Sequence, residues 1–172
     1  KSSKDLSGSG GPDRVFPINK HLMKIKHFII RVYALIINNK NEVLLSDEFR
    51  LGIKMTKFPG GGLNFGEGPV DCLKREAIEE FGQEIDISDH FYTTDFFQKA
   101  YFYEEHQIIS IYYLAKFKDK ITFKISEKAF DFEGMLDGSQ SFRWTSIEAL
   151  KQDDVNFPID KKVVELLTGR KS

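Results

Sequence analysis

A group of carboxylates in the middle of the chain has the spacing of a metal site. Glu76, Glu79 and Glu80 are three and four residues apart, so they share one arc of a helix predicted over residues 69–81. Like charges at this spacing repel by about 0.2–0.5 kcal/mol per pair, and a bound cation would reverse that sign. Hard carboxylate oxygens suit Mg²⁺ or Mn²⁺. Taken alone, three glutamates at this spacing more often form a solvated helix face.

A glycine-rich stretch, Gly60–Gly62, precedes this helix and could bring the backbone close to a metal or a phosphate. Glu67 can add a carboxylate from the loop. Arg75 lies four residues before Glu79 and could orient it. The ordered whole, spread over 22 positions from glycine to glycine, is more specific than any single member, and it favours a site over a surface helix.

This stretch resembles the Nudix box of the Nudix hydrolase family, which includes MutT-like enzymes. The family pattern is G-x5-E-x7-R-E-U-x-E-E-x-G-U, where U is a bulky aliphatic residue, and the match runs from Gly61 to Gln83. Two positions depart from the pattern, because Ala77 is small and Gln83 is polar where U is expected. Neither position supplies a catalytic oxygen, so the departures concern helix packing.

The resemblance implies hydrolysis of the pyrophosphate linkage in a nucleoside diphosphate joined to another moiety, with Mg²⁺ as cofactor and Mn²⁺ as an option. Carried over position by position, the implied metal ligands are Gly61 (through its carbonyl), Glu76, Glu79 and Glu80. The implied catalytic residues are Arg75, which holds the glutamates, with Glu76 as ligand or base and Glu79. The implied loop supports are Glu67, Gly60 and Gly62.

The substrate is selected outside the box, and two classes stay open: a nucleoside triphosphate, or a nucleotide sugar such as ADP-ribose. A nucleotide-sensing Nudix-fold module without turnover is the rival function. Some family members use a later acidic residue, for which the candidates are Glu104, Glu105, Glu127, Asp131, Glu133 and Asp137. Of these, Glu133 and Asp137 are favoured because their loop comes just before Trp144. Asp160, near the start of the last predicted helix, is a candidate for contact with the base.

The elements that position these residues alternate between strands and helices, which predicts an α/β fold. The resemblance implies an α/β/α sandwich with a mixed β-sheet, as a single domain over residues 23–170, after a flexible lead-in or cloning remnant at residues 1–22. The helix over residues 69–81 should turn Val70, Leu73, Ala77 and Phe81 to the sheet. The other predicted elements are strands at 27–48 around a turn at 38–41, at 55–59, 90–103, 106–118 and 141–144, loops at 119–141, and helices at 146–150 and 158–167.

The composition of the chain limits the classes of partner that it can bind. With 25 basic and 26 acidic residues, the chain has no general attraction for nucleic acid or an anionic membrane, so a small nucleotide is the expected ligand. The longest apolar run, at residues 28–37, is too short to span a bilayer. The single cysteine, Cys72, is predicted to pack in the helix and fits a cytoplasmic protein. Aromatic residues at 91–103 could stack a base, fill a core or form a homodimer interface.

Overall fold

The computed structural model describes residues 24–169, so the predicted lead-in at residues 1–22 lies outside the described part of the chain. The strands are β1 His27–Ile36, β2 Glu42–Arg50, β3 Ile53–Lys57, β4 Gly60–Gly62, β5 Ile85–Thr93, β6 His106–Phe117 and β7 Ser139–Ser146. The helices are α1 Pro69–Phe81 and α2 Pro158–Gly169, with a 3₁₀ turn at Gln152–Asp154 between β7 and α2.

The strands form two sheets. One is mixed, in the order β4-β1-β6-β5, with β1 and β6 parallel and the other neighbours antiparallel. The other is antiparallel, in the order β3-β2-β7. The predicted α/β fold with a mixed sheet in a single domain is therefore confirmed, and a second sheet, which the sequence pattern did not reveal, completes it.

Strand β1 is central and buried on both faces, as its apolar pattern predicts. Val32, Ala34 and Ile36 face the core beneath α1. Tyr33 and Leu35 alternate with them and face the core beneath α2. Because strand side chains point to opposite faces in turn, one strand supplies both halves of the sandwich.

Helix α1 has the predicted bounds. Pro69 occupies its first turn, where its missing N–H costs nothing, and Gly82 ends it in a left-handed conformation with φ 66°. The residues of α1 that are buried are Cys72, Leu73, Ala77 and Phe81. Val70 was expected on the buried stripe, but it is 37% exposed, whereas Cys72 is fully buried.

The two departures from the family pattern have local explanations. Ala77 is buried in an aromatic-rich core, in which the rings of Phe81 and Phe123 stack 5.0 Å apart, so a small residue leaves room for them. Gln83 uses its polar side chain to hold the next loop. Its Nε2 donates to the Lys120 carbonyl at 3.0 Å, and its Oε1 accepts from the Thr122 N–H at 2.8 Å.

The strand predicted at 90–103 is wrong in its bounds. Strand β5 begins earlier, at Ile85, and ends at Thr93. After Thr93 the chain is no longer a strand, and isolated backbone hydrogen bonds connect it to the start of β6. One of them runs from the Ile108 N–H to the Gln98 carbonyl at 2.8 Å. The aromatic residues that suggested a strand are largely exposed there: Phe96, Phe97, Tyr101, Phe102 and Tyr103. These five do not fill the core, whereas Phe91 and Tyr92 of β5 are buried in it, as one of the predicted alternatives had it.

The short helix predicted at 146–150 is a single turn. Ser146 is still paired in β7, opposite Glu42 of β2, so the strand runs past the predicted end at Trp144. One helical bond follows, from the Leu150 N–H to the Ser146 carbonyl at 3.0 Å. The terminal helix α2 is confirmed and begins at the predicted Pro158.

Candidate active site

Arg75 is the hub of the glycine–glutamate segment. Its guanidinium donates through Nε and Nη2 to the two oxygens of Glu67, at 3.0 and 2.7 Å. Its Nη1 donates to Glu76 at 2.9 Å and to Glu79 at 3.0 Å, and Nη2 also donates to the Gly62 carbonyl at 2.9 Å. The helical spacing of residues 75, 76 and 79 makes these contacts possible from one turn of α1. The structure thus gathers three carboxylates around one cation.

Glu67 connects the loop to the helix. Besides the fork from Arg75, its Oε1 accepts from the Asn64 N–H at 2.7 Å. These hydrogen bonds, those from Arg75 first, lower the pKa of the Glu67 carboxyl to about 2. Glu67 therefore carries its charge throughout the physiological range and keeps the loop closed against α1.

Two glycines are required by close contacts. At Gly61, a Cβ atom would lie 2.0 Å from Oε1 of Glu76, so the glutamate carboxylate rests directly on the backbone of this residue. At Gly60, φ is 129° and a Cβ would lie 2.2 Å from the Val32 carbonyl oxygen. A side chain at either position would displace the helix carboxylates or β1.

Glu80 points to a different set of partners. Its Oε2 accepts from the Gly60 N–H at 3.0 Å, and its Oε1 accepts from Nε2 of Gln140 at 3.0 Å. Lys57 Nζ lies 3.7 Å from Glu80 Oε1 and 2.8 Å from Glu48 Oε1. Three strands therefore each place a polar side chain near Glu80: Glu48 from β2, Lys57 from β3 and Gln140 from β7.

Burial governs the charges of this second cluster. It raises the pKa of Glu80, while Lys57 and the Gln140 hydrogen bond act in the opposite direction. Burial also disfavours the charged form of Lys57, but Glu80 and Glu48 outweigh it, so the pKa of Lys57 is raised. The lysine accordingly stays protonated, and its positive charge replaces the stabilisation that water would give these carboxylates.

The residues present fit a hard divalent cation by their chemistry. Glu76 fills the space beside the Gly61 backbone, and Glu79, whose side chain is 57% exposed, lies four residues from Arg75 on the open side of the helix. Within residues 24–169, however, no three acidic, histidine or cysteine side chains converge into a ready coordination site. The reason is local, since Arg75 already draws Glu76 and Glu79 towards itself. A divalent cation would compete with Arg75 for them.

One later acidic candidate lies near Glu80. Asp137 Oδ1 accepts from the Leu51 N–H at 2.5 Å. Asp137 also borders a cavity of about 300 Å³ whose lining residues are Glu48, Phe49, Arg50, Glu80, Asp137, Gly138, Ser139 and Gln140. Glu133 is exposed on the same loop and is not among these lining residues. The structure thus brings Asp137 to the box and leaves Glu133 apart from it.

The other acidic candidates lie at the surface. Glu105 pairs with Lys26 at 2.7 Å, and Asp131 pairs with Lys124 at 2.8 Å. Both contacts are between exposed side chains, which contribute little. The remaining two, Glu104 and Glu127, are exposed.

Asp160 lies in the core beneath α2 rather than on an open surface. It is 1% exposed, and its Oδ1 accepts from the Tyr112 hydroxyl at 2.6 Å. Its Oδ2 has no hydrogen-bond partner among the described residues. Burial raises its pKa to about 6. Contact between Asp160 and a substrate base stays a prediction.

Sequence reasoning missed Lys57, Glu48 and Gln140. Lys57 gave a weak signal, because a lysine within an apolar strand directly before the glycines is unusual. Gln140 gave none, since residues 119–141 read as a loop. Cys72 packs as predicted, with Sγ donating to the Gly62 carbonyl at 3.4 Å, and burial raises its pKa to about 12, so the thiol is protonated near neutral pH.

Comparison with known proteins identifies the fold and the family of this chain. The NUDIX domain family matches residues 27–167. Among solved structures, the MutT protein of Methanosarcina mazei Go1 is 23% identical with a TM-score of 0.59, covering 85% of this chain and 98% of that one. The MutT NUDIX hydrolase of Burkholderia pseudomallei is 17% identical with a TM-score of 0.61, covering 82% and 98%.

An ADP-ribose pyrophosphatase of Streptococcus suis is 16% identical, with a TM-score of 0.54 and coverage of 84% and 92%. Among curated proteins, no sequence matches this one. No helix within residues 24–169 has the length and apolar character needed to cross a membrane. The family match spans most of the chain and contains the whole glycine–glutamate segment, so the chain belongs to the Nudix hydrolase family, whose enzymes are pyrophosphohydrolases that generally use divalent metal ions.

Proposed function

We propose that this protein hydrolyses the pyrophosphate linkage of a nucleoside diphosphate joined to another moiety, with Mg²⁺ as the divalent ion. One observation carries the proposal. Glu67, Glu76 and Glu79 converge on Arg75, directly beside the glycine strand β4. Carboxylates are the ligands that a hard divalent cation prefers, and Glu76 and Glu79 would exchange Arg75 for such an ion beside the glycine backbone.

The proposed division of labour follows the contacts. Glu76, Glu79, Glu80 and the Gly61 carbonyl would hold the ion, which when bound would neutralise charge on the phosphate oxygens. Arg75 keeps Glu76 and Glu79 on one side of the helix, and Glu67 fixes the loop that carries the glycines. Glu76, which Arg75 contacts at 2.9 Å, would act as a ligand or accept the proton of the attacking water.

The moiety joined to the diphosphate stays open between two classes. Nucleoside triphosphates and nucleotide sugars both place a diphosphate at the carboxylates, and the solved relatives include MutT proteins as well as an ADP-ribose pyrophosphatase. The cavity of about 300 Å³ beside Glu80 is large enough for part of either. A cytoplasmic location and a homodimer also stay predictions.

Incubation with Mg²⁺ and a panel of nucleotides, followed by separation of the products, tests the proposal. A nucleoside monophosphate plus pyrophosphate would identify a triphosphate substrate, and a monophosphate plus a sugar phosphate would identify a nucleotide sugar. We expect Glu79→Gln and Glu80→Gln to slow hydrolysis by about a thousandfold, which corresponds to ~4 kcal/mol in the barrier. Glu84→Gln is the matched control, since Glu84 is an exposed acid that pairs with Lys118.

The rival function makes the opposite prediction. A nucleotide-sensing module would bind members of the panel without releasing products, with or without added metal. Nucleotide binding that survives in both glutamine variants, with no turnover by the unaltered protein, would refute the proposed enzyme activity.

A further inference from the structure

The cationic side chains of Arg75, Lys57 and Arg31 lie beside the box, and the first two are engaged by carboxylates. Arg75 contacts three glutamates and the Gly62 carbonyl. Lys57 contacts Glu48 and the Gly60 carbonyl, and lies near Glu80. Arg31 of β1 is the third, and its surroundings differ.

Arg31 is held at one end only. Its Nε donates to the Tyr33 hydroxyl at 2.5 Å, and its Cζ lies 5.4 Å from the centroid of the same ring. Within residues 24–169, Arg31 forms no ion pair with a carboxylate, and its two terminal nitrogens have no hydrogen-bond acceptor. A half-buried guanidinium is therefore fixed in direction and presents its other nitrogens outwards.

The space beside Arg31 is open. In the antiparallel register, Arg31 lies opposite Gly62 of β4, and side chains of directly opposed residues emerge on the same face. A Cβ built at Gly62 meets no atom within 4 Å. Arg31 thus faces room for a ligand next to the glycine strand whose other face carries Glu76.

The charge around Arg31 favours retention of a cation there. Its pKa is raised, chiefly by Tyr33, against the effect of burial and with smaller contributions from Glu48 and Glu76. Lys57 Nζ lies 5.5 Å from the centroid of the same Tyr33 ring. Two cations, Arg31 and Lys57, therefore lie over the ring of Tyr33, and of the two Arg31 has no carboxylate partner among the described residues.

Arg143 shows what a structural arginine looks like in this fold. Its Nε donates at 2.8 Å to Asp47, a carboxylate with no exposed surface, and its Nη1 donates to Thr145 at 2.9 Å. Arg31 is comparably sheltered but lacks such an anion among the described residues. A guanidinium in that position is poorly explained as a fold-stabilising ion pair and well suited to an anionic ligand.

We infer that Arg31 binds the diphosphate of the substrate through its terminal nitrogens, from the side of β4 opposite to the α1 carboxylates. The guanidinium fork matches two non-bridging oxygens of a phosphate. The inference rests on the proposed function for the identity of the full substrate, but not for the anion itself. Because β4 is the edge strand of its sheet, a diphosphate at that edge would reach the metal-binding carboxylates on one face and Arg31 on the other.

Calorimetric titration with inorganic pyrophosphate in the presence of Mg²⁺ tests the inference without requiring turnover. We expect Arg31→Gln to raise the Kd for pyrophosphate roughly 10- to 100-fold, the range for a lost charge-assisted hydrogen bond. Arg31→Lys keeps the charge but lacks the fork and should give an intermediate loss. Binding of Mn²⁺ alone should not change in either variant, and Lys118→Gln should match the unaltered protein.

Specific results would overturn the inference. An unchanged pyrophosphate Kd in Arg31→Gln does so, as does a loss seen with Arg50→Gln instead, since Arg50 borders the cavity near Glu80. If thermal unfolding shows that Arg31→Gln does not fold, Arg31→Lys decides, and an unchanged Kd there counts against the inference. If the unaltered protein hydrolyses no nucleotide of the panel while Arg31→Gln still weakens pyrophosphate binding, the proposed function alone is refuted. If the protein hydrolyses a nucleotide but Arg31→Gln leaves both the KM and the pyrophosphate Kd unchanged, the inference alone is refuted.

Discussion

Replacing the buried Asp160 by asparagine should change how the stability of this protein depends on pH. The carboxyl is 1% exposed and has one donor, the Tyr112 hydroxyl, so ionisation in the fold is penalised. Its pKa rises from the ordinary 3.8 to about 6. At 1.36 kcal/mol for each pH unit, that difference corresponds to about 3 kcal/mol of lost stability when the group is fully charged.

The direction follows from the two states of the chain. Below pH 3.8 the carboxyl is protonated in both the folded and the unfolded protein, and the penalty is absent. As the pH rises, the unfolded chain ionises first while the fold retains its proton, so the free energy of unfolding falls. The full penalty is reached above about pH 6, the pKa in the fold. Asp160→Asn cannot ionise and should escape this loss.

Urea unfolding of both proteins between pH 4 and pH 7.5, followed by the fluorescence of Trp144 and by circular dichroism, measures the effect. The stability of Asp160→Asn relative to the unaltered protein should rise by roughly 2 kcal/mol across this range, less than the full penalty because the unfolded carboxyl is already more than half ionised at pH 4. Asp153→Asn serves as the control, because Asp153 is exposed in its ion pair with Lys161. A difference between the two proteins that stays constant with pH would refute the reasoning about Asp160.

Three further substitutions test the site and its supports. Gly61→Ala places a Cβ only 2.0 Å from Oε1 of Glu76. It should reduce hydrolysis by about 100-fold with little change in the urea midpoint, because displacing a catalytic carboxylate by about an ångström has an effect of that size. Full activity would contradict the required contact. Asp47→Ala leaves the buried charge of Arg143 unpaired and should lower the free energy of unfolding by about 3–5 kcal/mol in urea titration, so a loss below 1 kcal/mol would argue against it. Lys57→Met removes the counter-charge of two half-buried carboxylates and should lower the thermal midpoint by several degrees while Lys57→Arg restores most of it; an equal loss in both variants would show that the charge is not what matters.

The parts of the fold that follow from the sequence are those with strong local periodicity. Helix α1 was predicted to the residue, because Pro69 and Gly82 mark its ends and the apolar spacing between them is helical. The strand predicted at 90–103 was carried past its true end at Thr93 because aromatic residues in an exposed segment resemble those of a strand, and composition alone does not tell which will be paired. The second sheet also depended on pairings distant in sequence, such as Leu44 with Trp144.

The candidate site divides in the same way. Contacts within α1, such as Arg75 with Glu79, follow from helical spacing and were readable from the chain. Contacts that depend on tertiary structure were not: Gln140 reaches Glu80 from a strand 60 residues away in sequence. Asp160 was a candidate for substrate contact from its position near the start of the last helix, and its burial against Tyr112 depends on how α2 packs, which the sequence does not reveal.

The alternation of β1 between two cores has a consequence for how this chain can change. A single inserted or deleted residue between Val32 and Ile36 would exchange the faces of the strand, sending the side chains beneath α1 to the core beneath α2. It would also shift the register that sets Arg31 opposite Gly62. Strand β1 can therefore vary by substitution but not in length.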